Sequence, residues 1–367
     1  LPDPIQMKYH IFNRIFLWLG FAFLFIKKRA SIFRRSDLFL WVFLIAIGIN
    51  VLFAQQKGVA LRTYFSLAIP MFCIYYLVSE SILLGNNFIL LAKVISLFSI
   101  LVALGGVFEA VFRFNPLYAY FIENHYYTRY ITGFVRPMST QLHPPILGSY
   151  LLASLPFNLL LLRQERRYSK LLGAIGVVLG VVVAILTLSR GVFLGLVAVI
   201  LFLLWVNKKR KTILFFLIAL LIFITLFSYI PYPLNRLGFS GLLFQGHSIF
   251  SSYRLERLQM AKQIIKEHPF VGLGFQHFRL RFYDYYPGKE KVPYEFMIPD
   301  NMYLTILAET GILGFLGFLA FIVFILFKAW KKQRRLKENP EARQQLIIVL
   351  ASFVALLTHM AAYELFY

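Results

Sequence analysis

Apolar residues run along this chain in long unbroken stretches, not at the spacing of an amphipathic helix or a half-buried strand. Ten stretches stand out, at 11–26, 38–54, 60–79, 88–112, 145–162, 171–188, 191–206, 212–230, 302–327 and 346–366. Each approaches or exceeds the roughly 17–25 residues that a helix needs to cross a bilayer. The pattern predicts an all-α, polytopic helical integral membrane protein, with residues 1–367 as one transmembrane domain. A membrane barrel is excluded, because its strands alternate apolar and polar over about ten residues. The chain opens on Leu1 and stops inside an apolar run at Tyr367. Residues are therefore expected beyond both ends, with about twelve spans in the complete protein.

Basic clusters set the orientation. They are Lys27-Lys28-Arg29 with Arg34-Arg35; Arg163, Arg166, Arg167 and Lys170; Lys208-Lys209-Arg210-Lys211; and Lys328 through Arg343. Together they hold 20 of the 38 Lys and Arg residues, and with ten spans all four fall on one side. By the positive-inside rule that side is cytoplasmic. The opposite face receives two long loops, 113–144 and 231–300, and the short Ser189-Arg190 turn. The second loop is expected to be structured. Ser251-Ser252 cap an amphipathic helix over 252–267, with Leu255, Leu258, Ala261, Ile264 and Ile265 on one face. Arg254, Arg257, Lys262 and Lys266 fall largely off that face; Pro269 ends the helix, and Gly272 and Gly274 make a turn.

Composition agrees. The chain is 59% hydrophobic and 15% charged, whereas a soluble domain is about 45–50% apolar and about 25% charged. The net charge of +22 would suggest nucleic acid in a soluble protein. Here cytoplasmic loops and lipid headgroups account for it, and no nucleic-acid partner is expected. Cys73 is the one cysteine, so there is no intrachain disulfide and no cysteine metal site. His125, His143, His247, His268 and His277 show no ligand spacing, and nucleotide-binding and nucleophile-elbow motifs are absent. Neither a metal nor a cofactor is expected.

Candidate chemistry sits in and beside the spans. Ionisable residues there are Lys93, Glu109, Glu309 and Glu364, with His359; such groups usually face a partner or a cavity. Glu109 stands four residues before Arg113, the spacing of a local ion pair. Glu309 has two readings, a hydrogen bond to a neighbouring helix or a functional role. Arg190, in the tight external turn Leu188-Ser189-Arg190-Gly191, either snorkels toward headgroups or binds an anion. Arg129, Arg136, Arg254 and Arg257 add planar guanidinium forks on the same face, suited to phosphate oxygens. Asp300, in Pro299-Asp300-Asn301-Met302-Tyr303-Leu304, either caps the ninth span or turns a carboxylate into a cavity.

Taken in order, these residues resemble a known family. Thr187-Leu188-Ser189-Arg190-Gly191 lies at a span junction, and a long external loop follows with Arg254, Leu258 and Ala261. Then come His268-Pro269-Phe270-Val271-Gly272-Leu273-Gly274-Phe275-Gln276-His277-Phe278, the Asp300–Leu304 run and Ala308-Glu309-Thr310-Gly311-Ile312-Leu313-Gly314. The set resembles the O-antigen ligase and O-antigen polymerase superfamily of bacterial envelope glycosyltransferases. Gly133-Phe134-Val135-Arg136-Pro137 and Leu147-Gly148-Ser149-Tyr150-Leu151 also fit. The resemblance implies an inner-membrane enzyme whose site faces the periplasm. It implies transfer of a glycan from undecaprenyl diphosphate to an acceptor hydroxyl, on another lipid-linked repeat or on the lipid A core. Arg190 and Arg254 match the family's two essential arginines, and Asp300 stands where ligases carry a histidine. The implied catalytic residues are Asp300, Arg190 and Arg254, with Arg136, Arg257, Asn301 and Tyr303 binding substrate and no metal required. A protein-glycosylating relative is a third acceptor class, and a polysaccharide flippase or other transporter is the reading from outside enzymology.

The topology has a direct check. Cysteines placed at Lys209 and Lys289 should differ in labelling by an impermeant thiol reagent in intact cells, with only the second reacting.

Overall fold

The helices bury polar and small residues together with leucines and isoleucines, and leave many other large apolar side chains on their outer faces. The structure, a computed structural model, describes residues 37–69, 88–115, 130–131, 134–141, 143–228, 249–288, 292 and 297–363. The expected span 11–26, the cluster 27–35, half of span 60–79, and His125, Arg129, His247 and Glu364 lie outside the described residues, and so does the Arg254 side chain. Five described helices are long and apolar enough to cross a membrane: Phe88–Phe112, Pro144–Leu162, Arg167–Leu186, Met302–Glu338 and Pro340–Met360. Leu38–Phe53 and Arg190–Val206 are shorter apolar helices. The chain divides into two compact units. One is Leu1–Asn87, Arg254–Pro299 and Tyr303–Lys328; the other is Phe88–Tyr253, Asp300–Met302 and Ala329–Tyr367.

The first unit holds α1 (Leu38–Phe53) and α2 (Lys57–Thr63), which runs into a π-helical turn, Tyr64–Ala68. Leu40, Leu44, Ile47 and Ala68 pack with Phe275. Most of α10 (Met302–Arg335) lies in this unit, with Phe318 and Phe324 packed against Phe43 and Phe39 of α1. At Gly311 α10 breaks: this residue has φ 64° and ψ −171°. A Cβ there would strike the backbone of Phe270, so the position requires glycine on both conformational and steric grounds.

The backbone groups released by the break are bonded to the 268–278 segment. Ile312 N–H donates to the Pro269 carbonyl at 2.8 Å, and Leu273 N–H to the Ala308 carbonyl at 3.0 Å. The Glu309 carbonyl accepts from Gly274 N–H at 2.9 Å and from Asn50 Nδ2 at 2.9 Å. The buried Glu309 carboxylate accepts from Gln276 N–H at 2.8 Å and Phe278 N–H at 2.9 Å. Asn50 completes the join, accepting from Phe275 N–H at 2.6 Å and donating to the Val271 carbonyl. The Glu309 side chain bonds to the backbone of the loop, and its carbonyl takes a bond from Asn50 of α1.

The amphipathic helix of the long loop is α8 (Ile249–Glu267). Its buried residues are Arg257, Met260, Ala261 and Ile264, while Leu255 is 59% exposed. The buried stripe is therefore rotated from the one that apolarity alone indicates, and Arg257 lies within it at 3% exposure. A long aliphatic stem lets arginine occupy such a position when its head is satisfied. At the end of α8, hydrogen bonds from Gln263 and then Tyr285 hold the Glu267 carboxyl below its usual range. Tyr285 lies in the short α9 (Phe282–Tyr285).

The second unit contains α3 (Phe88–Phe112), α4 (Pro144–Leu162), α5 (Arg167–Leu186), α6 (Arg190–Val206), α7 (Arg210–Ser228) and α11 (Pro340–Met360). Helix α3 buries Ala92, Ser96, Ser99, Ala103, Gly106 and Glu109 and exposes Leu90, Leu97, Leu101, Leu104 and Phe108. Small residues allow helices to approach closely, and in lipid the large apolar side chains can face outward without penalty. Helix α4 packs on α5, α3 on both, and α11 on α6 and α4. Ser352 Oγ donates to the Ala153 carbonyl across α11 and α4 at 2.7 Å. The beginnings of α4 and α6 meet the end of α11, whereas the end of α6 meets the end of α10 through stacked Trp205 and Trp330, 4.9 Å apart.

Glu309→Ala leaves two buried N–H groups without an acceptor, at roughly 1–3 kcal/mol each. The variant should unfold at markedly lower temperature in detergent. Combination with Asn50→Ala should be non-additive, because both side chains close one join.

Candidate functional site

The site is built from the segment leading into α4. Strands β1 (Tyr130–Ile131) and β2 (Phe134–Val135) form a two-residue antiparallel ladder, and the chain then runs buried through Arg136, Met138 and Ser139. Buried loop backbone needs partners, and Glu109 supplies them. Its Oε2 accepts from Met138 N–H at 2.9 Å, Ser139 N–H at 2.7 Å and Asn115 Nδ2 at 2.9 Å. Asn115 also donates to the Ser139 carbonyl at 2.8 Å. Glu109, expected beside Arg113, is thus the anchor of this loop; Arg113 itself is exposed.

The anchored loop positions Arg136, which is 8% exposed and donates from Nε to the Thr187 carbonyl at 2.7 Å. Thr187 caps the end of α5, its hydroxyl donating to the Ala184 carbonyl at 2.6 Å. Leu188 follows in the left-handed region at φ 47°, with its side chain buried. A non-glycine residue is costly there, and the buried leucine helps to hold it. The turn brings Arg190 to the first position of α6, half-buried. Ser189 stands at the N-cap position but makes no side-chain cap bond.

Beside this junction lies the end of α11. A Cβ on Gly191 would lie 3.1 Å from His359 Cδ2 and 3.1 Å from Ala362 Cβ, so the first turn of α6 rests directly on these residues. Tyr363 bonds through its hydroxyl to His143 Nδ1 at 2.8 Å, and the two rings stack. Asn301 Nδ2 donates to the Ala361 carbonyl at 3.0 Å, which ties the Asp300–Asn301 pair to the same end of the unit. Asp300 is half-buried with φ 52°. The first helical residue is Met302, so Asn301 holds the N-cap position and Asp300 lies one residue outside it.

Of the residues singled out from sequence, Arg136, Arg190, Asp300 and Asn301 thus belong to the second unit. Arg254, Arg257 and Tyr303 belong to the first, where Arg257 is buried and the Tyr303 ring lies 6.2 Å from that of Phe318. Sequence reasoning gave Glu109 a local role and none to His143 or Tyr363. The only signal available was the external end assigned to each by the span alternation. Among the described residues, no three His, Cys, Asp or Glu side chains come together as a metal site.

Within the second unit, the α5–α6 junction and Asp300–Asn301 both reach the end of α11. Residues 175–319 match the O-antigen ligase family. The match supports the likeness to the O-antigen ligase and polymerase superfamily over that segment. No curated protein matches the chain. The O-antigen ligase segment takes in Thr187–Gly191, the 268–278 loop and Asp300–Gly311, so both the arginine junction and the join at Gly311 fall inside it. Arg136, His143, His359 and Tyr363 fall outside.

Removal of the loop anchor has a local signature. In Glu109→Ala the 134–141 segment should become cleavable by added protease in protein that remains folded. Glu109→Gln keeps an acceptor oxygen and should be cleaved less.

Proposed function

We propose that this protein is a membrane glycosyltransferase that moves a glycan from undecaprenyl diphosphate to an acceptor hydroxyl, as a surface-polysaccharide ligase or polymerase. The observation that carries the reading is the O-antigen ligase match over residues 175–319, which contains the Arg190 junction and Asp300. Its setting is the inner membrane, with the reacting groups on the periplasmic face. The donor is the lipid-linked glycan, and the acceptor is a second glycan or the lipid A core.

The chemistry follows from what such a transfer requires. The acceptor oxygen forms a bond to the anomeric carbon of the donor. The bond from that carbon to the diphosphate oxygen breaks, and its electron pair leaves on the diphosphate. Negative charge builds on the leaving group, and fixed guanidinium groups stabilise it without reorganising. Arg190 and Arg254 are assigned that role, with Arg136 and Arg257 supporting the bound substrate. The proton released by the acceptor hydroxyl goes to the Asp300 carboxylate, which also aligns the hydroxyl for attack. Asn301 and Tyr303 are assigned to the acceptor side. The hydrogen bond from Arg136 to the Thr187 carbonyl supports this reading by holding the junction from which Arg190 projects.

Incubation of the purified protein with lipid-linked repeat units and lipid A core tests the proposal. Elongated repeats mark a polymerase and glycosylated core a ligase, while movement of donor across vesicles without transfer returns the transporter reading. Asp300→Asn is the decisive variant. Asparagine tolerates the left-handed backbone of this position as aspartate does, but it cannot accept the proton. Turnover should fall by about 10²–10⁴-fold with donor binding retained; wild-type turnover would remove Asp300 from the chemistry.

A further inference from the structure

His359 has no role in the mechanism above, and its surroundings are unusual. It lies in the last turn of α11, it is 0% exposed, and neither ring nitrogen has a hydrogen-bond partner. Burial of an imidazole in that state forfeits its hydration without replacement, and native proteins rarely leave such groups unexplained. The ring faces the first turn of α6. The Cβ position of Gly191 lies 3.4 Å from Nε2, and no side chain intervenes because residue 191 is glycine.

That helix turn is itself short of partners. The first N–H groups of a helix have no intrahelical acceptor and carry the positive end of its dipole. Ser189 occupies the position from which a serine ordinarily caps them, yet it makes no cap bond. Arg190 adds a full positive charge at the first helical position. An uncapped helix start and a buried imidazole with both nitrogens unpartnered therefore meet, and Arg190 stands at the first position of that helix. A phosphate group is a ligand whose oxygens satisfy both, and its charge suits a helix start that carries an arginine.

We propose that His359 is a phosphate ligand, donating a ring N–H to an oxygen of the donor's diphosphate at the N-terminus of α6. This inference rests on the glycosyltransferase reading and adds to it a binding residue that lies outside the matched family segment. Tyr363 controls access. Its half-buried ring lies 5.6 Å from that of His359 and is held by His143 through the 2.8 Å hydrogen bond. A rotamer change at Tyr363, of the kind that commonly accompanies binding, opens the imidazole to the ligand.

The test uses the full chain in a phosphate-free detergent with ring nitrogens labelled by ¹⁵N-histidine. The seven histidines give few signals, and that of His359 is assigned by its loss in His359→Gln. Added undecaprenyl diphosphate should shift the His359 ring signal, and phosphatidylglycerol at the same concentration should not. In transfer assays, His359→Leu should raise the donor KM on the order of tenfold or more, with the acceptor KM unchanged. His359→Gln keeps an N–H donor and should recover part of the loss. An unmoved signal while the wild type binds undecaprenyl diphosphate would overturn the role of His359 and leave the enzyme reading standing. An equal response to phosphatidylglycerol would make this a headgroup site and overturn the donor assignment. Failure of the wild type to bind undecaprenyl diphosphate at all would remove the donor reading and His359's role with it.

Discussion

The first unit depends on a broken helix that is repaired by another part of the chain. Within a membrane-spanning helix every lost backbone hydrogen bond is costly, because lipid offers no substitute partner. Gly311 breaks α10, and the 268–278 segment supplies both donors and acceptors to the freed groups, from Pro269 through Gly274. Two side chains close the join. Glu309 takes the loop's N–H groups on its carboxylate, and Asn50 reaches from α1 to the loop and to the Glu309 carbonyl. The histidine-proline-glycine run and the glutamate-threonine-glycine run are therefore complementary halves of one structural joint.

A similar economy governs the second unit. A single carboxylate, Glu109, satisfies a buried loop, and that loop holds Arg136 against the Thr187 carbonyl at the turn that presents Arg190. Each link is short and buried, so the turn is held from the loop side as well as by its own backbone. Gly191 lets the helix beginning at Arg190 settle on α11, and Asn301 draws the Asp300 segment to the same place. In the reaction proposed for this protein, guanidinium groups held in this way need little rearrangement when charge develops on the leaving diphosphate.

The class of molecule was legible from apolar run length alone, and the basic clusters give the orientation expected of it. Both are one-dimensional signals: a span needs a certain number of apolar residues, and positive residues stay on one side. The order of Thr187–Gly191, the 268–278 run and Asp300–Gly311 was also enough to indicate the family. Helix faces were not legible. In α3 every turn is apolar, so nothing in the sequence marks Ala92, Ser96 and Ala103 as inward and Leu97, Leu101 and Phe108 as outward. For α8 the apolar residues indicated a stripe, and the fold buried one that includes Arg257 in place of Leu255.

The contacts of Glu109, Glu309 and Asn50 and the burial of His359 were decided only by tertiary structure. Glu109 reaches residues about thirty positions away, and Asn50 bonds partners more than two hundred positions distant. Local spacing offers Glu109 the nearby Arg113 and offers the others no partner of note. Sequence by itself determined which residue types enter the membrane and in what order, because solvation by lipid acts on each segment separately. Which of those residues meet was decided by the fold, because a buried polar group is satisfied by whatever the folded chain brings within hydrogen-bond reach.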